Sequence, residues 1–184
     1  TAQMREPNDC FLTSTGGLLI ADIQDQRVRH LDLSSGIIST FAGNGEKARE
    51  GDGLPATEAS ILGARAVCMD SLGNTYICER EGNGVRKVDN NGIMSTIAGT
   101  GERGYTGDTG PAIDAQWGSP KAIRCNDKDE IIVVDTENHA LRKIDPASNI
   151  VTTIAGGHLG RDGDGGPATD AGSVSYTHLT LPTI

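Results

Sequence analysis

Residues able to do chemistry are few in this chain and they do not converge. The four histidines fall in a third strand (His30), a loop (His139), a long connection (His158) and the tail (His178). Sharing no register, they do not suggest a ring of metal ligands. No Ser-His-Asp or Cys-His order can be drawn from them either. The cysteines Cys10, Cys68, Cys78 and Cys125 form no CxxC pair and no regular cystine spacing, so they are expected to be inert thiols in buried strands. The most suggestive stretch is RDGDGGPATD, where Asp162 and Asp164 alternate as calcium ligands do. A helix-loop-helix calcium site also needs a distal Glu, and the twelfth residue counted from Asp162 is Ser173. Asp162 and Asp164 therefore stand as weak calcium candidates. No catalytic residue, no cofactor-binding residue and no resident cofactor are expected.

What must position these residues is a repeat. The segment from Leu141 to Pro167, LRKIDPASNIVTTIAGGHLGRDGDGGP, recurs at 85 to 111 and at 28 to 55, with Pro55, Pro111 and Pro167 spaced 56 apart. Self-similarity at that period means stacked supersecondary units that bury their faces against neighbours. Each unit reads as four short strands. The first are CFLT, VCMD and IRCN; the second LLIAD, TYICE and IIVVD; the third VRHLD, VRKVD and LRKID; the fourth IISTFAG, IMSTIAG and IVTTIAG. Aliphatic and β-branched runs of this length, bounded by Gly, Asn, Asp and Pro, predict strands, and no stretch holds a helical period. The predicted fold is all-β: three four-stranded antiparallel blades of a partial β-propeller, over 1–62, 63–117 and 118–172. Residues 173–184, SVSYTHLTLPTI, leave the pattern and are expected to be a non-native or truncated tail.

The segment DTENHALRKID, with Asn138, His139 and Leu141, resembles the NHL repeat, and IAGGHLGRDGDGGPATDA resembles the long inter-blade segment of bacterial and teneurin-like NHL proteins. The resemblance covers about residues 7 to 172 and recurs three times. It implies a propeller that is usually six-bladed, so that these units make about half a ring and the rest of the propeller lies elsewhere. It favours a bacterial, extracytoplasmic protein. Asp25-Gln26 and Gly82-Asn83 stand where the Asn-His pair would be, so no shared chemistry rests on that pair. The resemblance also implies a rival reading, a calcium-dependent gluconolactonase-like hydrolase or lyase whose metal lies at the axis.

Charge is distributed unevenly. The 184 residues carry 16 Lys and Arg against 25 Asp and Glu, net −9. In four-stranded antiparallel blades the loops between second and third strands emerge on the same side as the inter-blade connections. Segments 22–27, 79–84, 135–140, 43–62, 99–117 and 156–171 together hold 16 acidic and 6 basic residues, an excess of ten negative charges on one rim. Such a field repels phosphate backbones and argues against nucleic acid. No apolar run reaches the roughly 20 residues of a membrane span. Asp52, Asp108 and Asp164 recur three residues before each proline, and with Glu137, Asn138 and His139 they are the candidates for touching a partner. Arg29, Arg86 and Arg142, in one register of the third strand, are expected to clamp the blades with Asp22, Glu79 and Asp135, since a strand Arg between blades must find a carboxylate or carbonyl. The expected function is a non-catalytic scaffold that binds a protein, peptide or carbohydrate, of basic character, through its acidic loop face.

Overall fold

The computed structural model describes residues 3–173. Of the segment read as a tail, only Ser173 falls among the described residues. Among the described residues, twelve strands form three separate four-stranded antiparallel sheets. The first holds β1 (Pro7–Leu12), β2 (Gly17–Asp22), β3 (Arg27–Asp32) and β4 (Ile38–Ala42). The second holds β5 (Ala64–Met69), β6 (Thr75–Glu79), β7 (Gly84–Val88) and β8 (Met94–Ala98). The third holds β9 (Ala122–Cys125), β10 (Ile131–Asp135), β11 (Ala140–Ile144) and β12 (Val151–Gly156). Strand order follows the sequence within each sheet, and the first strands pack on one another, β1 on β5 and β5 on β9. The first strands are thus the inner ones and β4, β8 and β12 lie outermost. The chain is a three-blade arc of a propeller, not a closed barrel.

The core lies between blades rather than within them. Leu19, Val28, Ile61, Val67, Ile77 and Met94 fill the first gap; Cys68, Trp117, Ile123, Ile131, Val133 and Ile144 fill the second. Burying one such aliphatic side chain contributes roughly 1.5–3 kcal/mol. The middle blade has a neighbour on both faces, so four of the six residues of its first strand β5 are buried, whereas none of the six in β1 of the first blade is. Cys68 and Cys125 are free thiols whose sulfurs lie 3.4 Å apart in this second gap. Burial pushes the thiols of Cys68 and Cys78 up.

The long connections do more than link blades. Gly53 donates its N–H to Met94 O (2.8 Å) and Met94 donates back to Leu54 O (2.9 Å); Thr109 N donates to Val151 O (2.7 Å) and Val151 N to Gly110 O (3.0 Å). Pro55 bridges Ile93 and Pro111 bridges Ile150 in the same way. Each of the two connections that join blades therefore lays a short fifth strand along the outer edge of the next blade, covering an edge that would otherwise offer unpaired backbone groups. Gly107 begins this crossing at φ +88, and a Cβ there would stand 2.6 Å from Ala115 Cα, so only glycine lets the connection fold back on itself.

Candidate functional site

The buried charges come first because they decide which acidic residues are available. Arg86 and Arg142 are fully buried, each opposite the middle of its second strand. Arg142 donates to Asp108 Oδ1 through both Nε (3.1 Å) and Nη2 (2.8 Å), to Gln116 O (2.7 Å), to Thr106 O (2.8 Å) and to Asp135 Oδ2 (3.4 Å). Its guanidinium lies 4.4 Å from the Trp117 ring centre. Arg86 repeats the arrangement with Asp52 (2.9 Å), Ser60 O (3.1 Å), Glu50 O (3.2 Å) and Glu79 (3.5 Å). Asp52 and Asp108 also accept from the outermost strand, from the Thr96 hydroxyl and the Thr153 N–H.

Arg29 shares that register but holds a different set: Ser39 O (3.3 Å), Gln3 O (3.4 Å) and, at 3.7 Å, Asp25. The carboxylates that end the second strands are buried completely. Asp22 accepts the N–H groups of Arg5 and Glu6, Glu79 that of Leu62, and Asp135 that of Gly118. Burial pushes the carboxyls of Glu79 and Asp135 up, against the pull of their arginines and of hydrogen bonds such as that from Asn138 to Asp135. Burial also raises that of Asp108, but the bonds from Thr153 and Arg142 outweigh it and hold the group below the usual range.

The six candidates for touching a partner thus divide. Asp52 and Asp108 are committed to arginines inside the chain, and Glu137 pairs with Arg103 at 2.6 Å. Asn138 donates to Asp135 and to Gly104 O. His139 takes φ +55, and Gln26 and Asn83 at the same loop position take +54 and +47. The position thus holds a left-handed backbone whichever of the three side chains occupies it. Two of those side chains also bridge blades, Gln26 accepting from Gly63 N (2.7 Å) and Asn83 from Ser119 N (3.0 Å). Asp164 is exposed, and Asp162, also exposed, lies 4.0 Å from His158. Among the described residues no group of three His, Cys, Asp or Glu is arranged to hold a metal ion.

The acidic rim is less negative than a count over its loops implies, because Arg29, Arg86 and Arg142 reach it from their strands and lower the excess from ten to seven. Between the second-to-third-strand loops of blades 1 and 2 lies a polar groove of about 420 Å³, lined by Arg5, Glu6, Gln24, Lys47, Arg80 and Glu81 among others. Lys47 pairs with Glu81 at 2.6 Å, while the exposed Arg80 has no ion-pair partner among the described residues. Glu46 adjoins the groove-lining Gly45, and the Asn44 amide joins it to Glu58 O; neither carboxylate meets a cation among the described residues. Sequence reasoning did not find this groove, since its cations come from three separate stretches.

With that geometry in hand, comparison with known proteins decides the family. Teneurin-3 of Danio rerio is 31% identical over 153 residues, covering 70% of this chain. The chain carries NHL-type repeats of the β-propeller class. It spans only 6% of that teneurin. No protein-family profile matches the chain. Among solved structures, a structural genomics protein from Bacteroides thetaiotaomicron superposes with a TM-score of 0.67 at 17% identity, over 92% of this chain and 40% of its own. A gluconolactonase from Xanthomonas campestris does so with 0.58 at 12% identity, over 86% and 50%. At those identities the structural likenesses establish the propeller architecture.

Proposed function

We propose that this NHL-type arc is a non-catalytic binding scaffold, and that its loop face takes a polar, basic segment of a protein or peptide. The observation that carries the reading is the groove between blades 1 and 2. It offers an uncommitted guanidinium at Arg80 for a backbone carbonyl or a terminal carboxylate, and for Lys or Arg the unneutralised Glu46, between the lining residues Gly45 and Lys47, and Glu58, whose backbone carbonyl shares the Asn44 amide with Glu46. The buried acids that might otherwise serve as general acids or bases are tied to arginines and backbone N–H groups. The one acid in the three inner strands, Asp9, is held by both Nη atoms of Arg124 (3.0 and 3.1 Å) and by Val67 N (3.1 Å). That commitment weighs against the competing reading, a calcium-dependent gluconolactonase-like hydrolase or lyase using an axial carboxylate.

The test is fluorescence anisotropy with labelled peptides, one lysine-rich and one of the same length with Gln for Lys. A neutral oligosaccharide serves as competitor. The lysine-rich peptide is expected to bind, more weakly as ionic strength rises above the ~0.1 M at which the Debye length is about 10 Å, and to lose affinity on Arg80→Ala or Glu46→Gln/Glu58→Gln. Binding insensitive to salt and to all three substitutions, or displacement by the sugar alone, would count against the peptide reading.

A further inference from the structure

The second gap between blades holds a pair of thiols that the arginine clamps and the peptide groove leave unused. Cys68 lies in inner strand β5 and Cys125 is the last residue of inner strand β9. They are 57 positions apart in sequence, yet their sulfurs approach to 3.4 Å and both are free. The gap has a complete blade of this chain on each side, so the pair does not lie at either end of the arc.

Register shows that this meeting is particular to the second gap. Counted from the clamp arginines, Phe11 stands in blade 1 where Cys68 stands in blade 2, and Met69 stands in blade 2 where Cys125 stands in blade 3. Phe11 and Met69 both pack on the apolar cluster of the first gap. Two thiols thus take the place that a bulky apolar pair holds one blade earlier. They also differ in access. Cys68 is fully buried, and burial, with Cys125 beside it, pushes its thiol up, so an oxidant in solution does not reach it directly. Cys125 is half-buried, and the remaining strand thiol of the gap, Cys78, is enclosed completely.

We infer that Cys68 and Cys125 are a dithiol site at which hydrogen peroxide makes a disulfide between blades 2 and 3. Cys125, as its thiolate, attacks the peroxide: an S–O bond forms, the O–O bond breaks, hydroxide leaves and Cys125 becomes a sulfenic acid. The Cys68 sulfur then attacks the Cys125 sulfur. The S–S bond forms, the S–O bond breaks, and the Cys68 proton leaves with the departing hydroxide as water. The two thiols lose two electrons, and the peroxide gains them in becoming two waters. Closing from 3.4 Å to the roughly 2.05 Å of a disulfide asks about 1.4 Å of the two side chains together. Blades 2 and 3 are otherwise held by apolar packing and by the connection that Arg142 clamps, so the bond adds a covalent tie across their inner strands. The peptide groove lies between blades 1 and 2, and this site stands or falls independently of it.

The test uses the full chain carrying Cys10→Ser, which removes the exposed thiol that could link two chains. It is treated with a few equivalents of hydrogen peroxide, unfolded, alkylated and digested with trypsin without reduction. Peptide 66–80 is expected joined to peptide 125–128, and fragmentation should place the bridge at Cys68 rather than Cys78. Oxidation should raise the melting temperature by about 5–10 °C, the scale expected when a cross-link closes a loop of this length, and dithiothreitol should reverse the rise. Cys125→Ser should leave Cys68 a thiol, Cys68→Ala should take Cys125 on to sulfinic acid, and neither variant should gain stability on oxidation. Sulfinic acid at Cys125 beside an unreacted Cys68, a bridge at Cys78 in its place, or an oxidised chain that melts with the reduced one would overturn the inference.

Discussion

Replacing Arg142 by Ala should be the most costly single change in the third blade, and its size follows from what the guanidinium holds. Arg142 is wholly buried, satisfies the carbonyls of Gln116 and Thr106, and lies against two carboxylates, one of them the fully buried Asp135. Removing one partner of a buried pair leaves the other charge uncompensated and costs roughly 3–5 kcal/mol. The partly exposed Asp108 loses little, because solvent screens it. For a chain of this size each kcal/mol lowers the melting temperature by about 2–4 °C, so a drop on the order of 10 °C is expected. Arg142→Lys should recover only a small part, since an ammonium cannot span Asp108 and both carbonyls as the planar fork does. Arg29→Ala is the internal control: its contacts are all 3.3 Å or longer, and the loss should be about 1 kcal/mol. Urea unfolding at neutral pH, followed by circular dichroism, measures both. Equal losses for Arg29→Ala and Arg142→Ala, or a loss under about 1 kcal/mol for Arg142→Ala, would refute the reasoning from burial.

Gly107→Ala puts a Cβ 2.6 Å from Ala115 Cα at φ +88 and should cost about 1–3 kcal/mol, against about 1 kcal/mol for Gly36→Ala, where nothing lies within 4 Å; thermal melts compare them. The Asp residues at the ends of the third strands are held below their usual range: Asp32, at about 2, by the hydroxyl and N–H of Ser34 and the N–H of Ser35, Asp89 by the N–H groups of Ile93 and Asn91, and Asp145 by Ser148. A depressed folded pKa stabilises above the unfolded value and the benefit disappears as pH falls through the folded one, so stability should decline from about pH 4 toward pH 2. Asp32→Asn should remove part of that acid limb in a urea midpoint series; an unchanged limb would mean these bonds do not persist in solution. Calcium should leave the melting temperature of the 184-residue chain where a chelator leaves it, and a calcium-dependent rise would favour the metal-dependent reading.

Much of the fold was legible because the repeat carries its own alignment. The second strands TYICE and IIVVD begin and end where those runs do, since their apolar centres are bounded by turn residues and closed by the acids Glu79 and Asp135. First strands were harder to read: β5 starts at Ala64, three residues before VCMD, because a register shift between Ala64 and Ala66 breaks the alternation that marks a strand. The fifth strand supplied by each connection was invisible, for it pairs through the backbone of a Gly- and Pro-rich stretch with no apolar pattern. The third-strand arginines were visible as a register, but Asp52 and Asp108 lie 34 residues from them, and only folding joins the two series. A charge tally over loops misjudged the rim for the same reason.

The claim that the rim's aspartates serve mainly to tie blades while the groove beside Arg80 does the binding is tested most directly by one paired comparison. Peptide affinity and melting temperature are measured together for Arg80→Ala and Asp108→Asn. The account predicts lost affinity with unchanged melting for Arg80→Ala, and lowered melting with retained affinity for Asp108→Asn. The reverse pattern, with binding lost at Asp108 and untouched at Arg80, would contradict it.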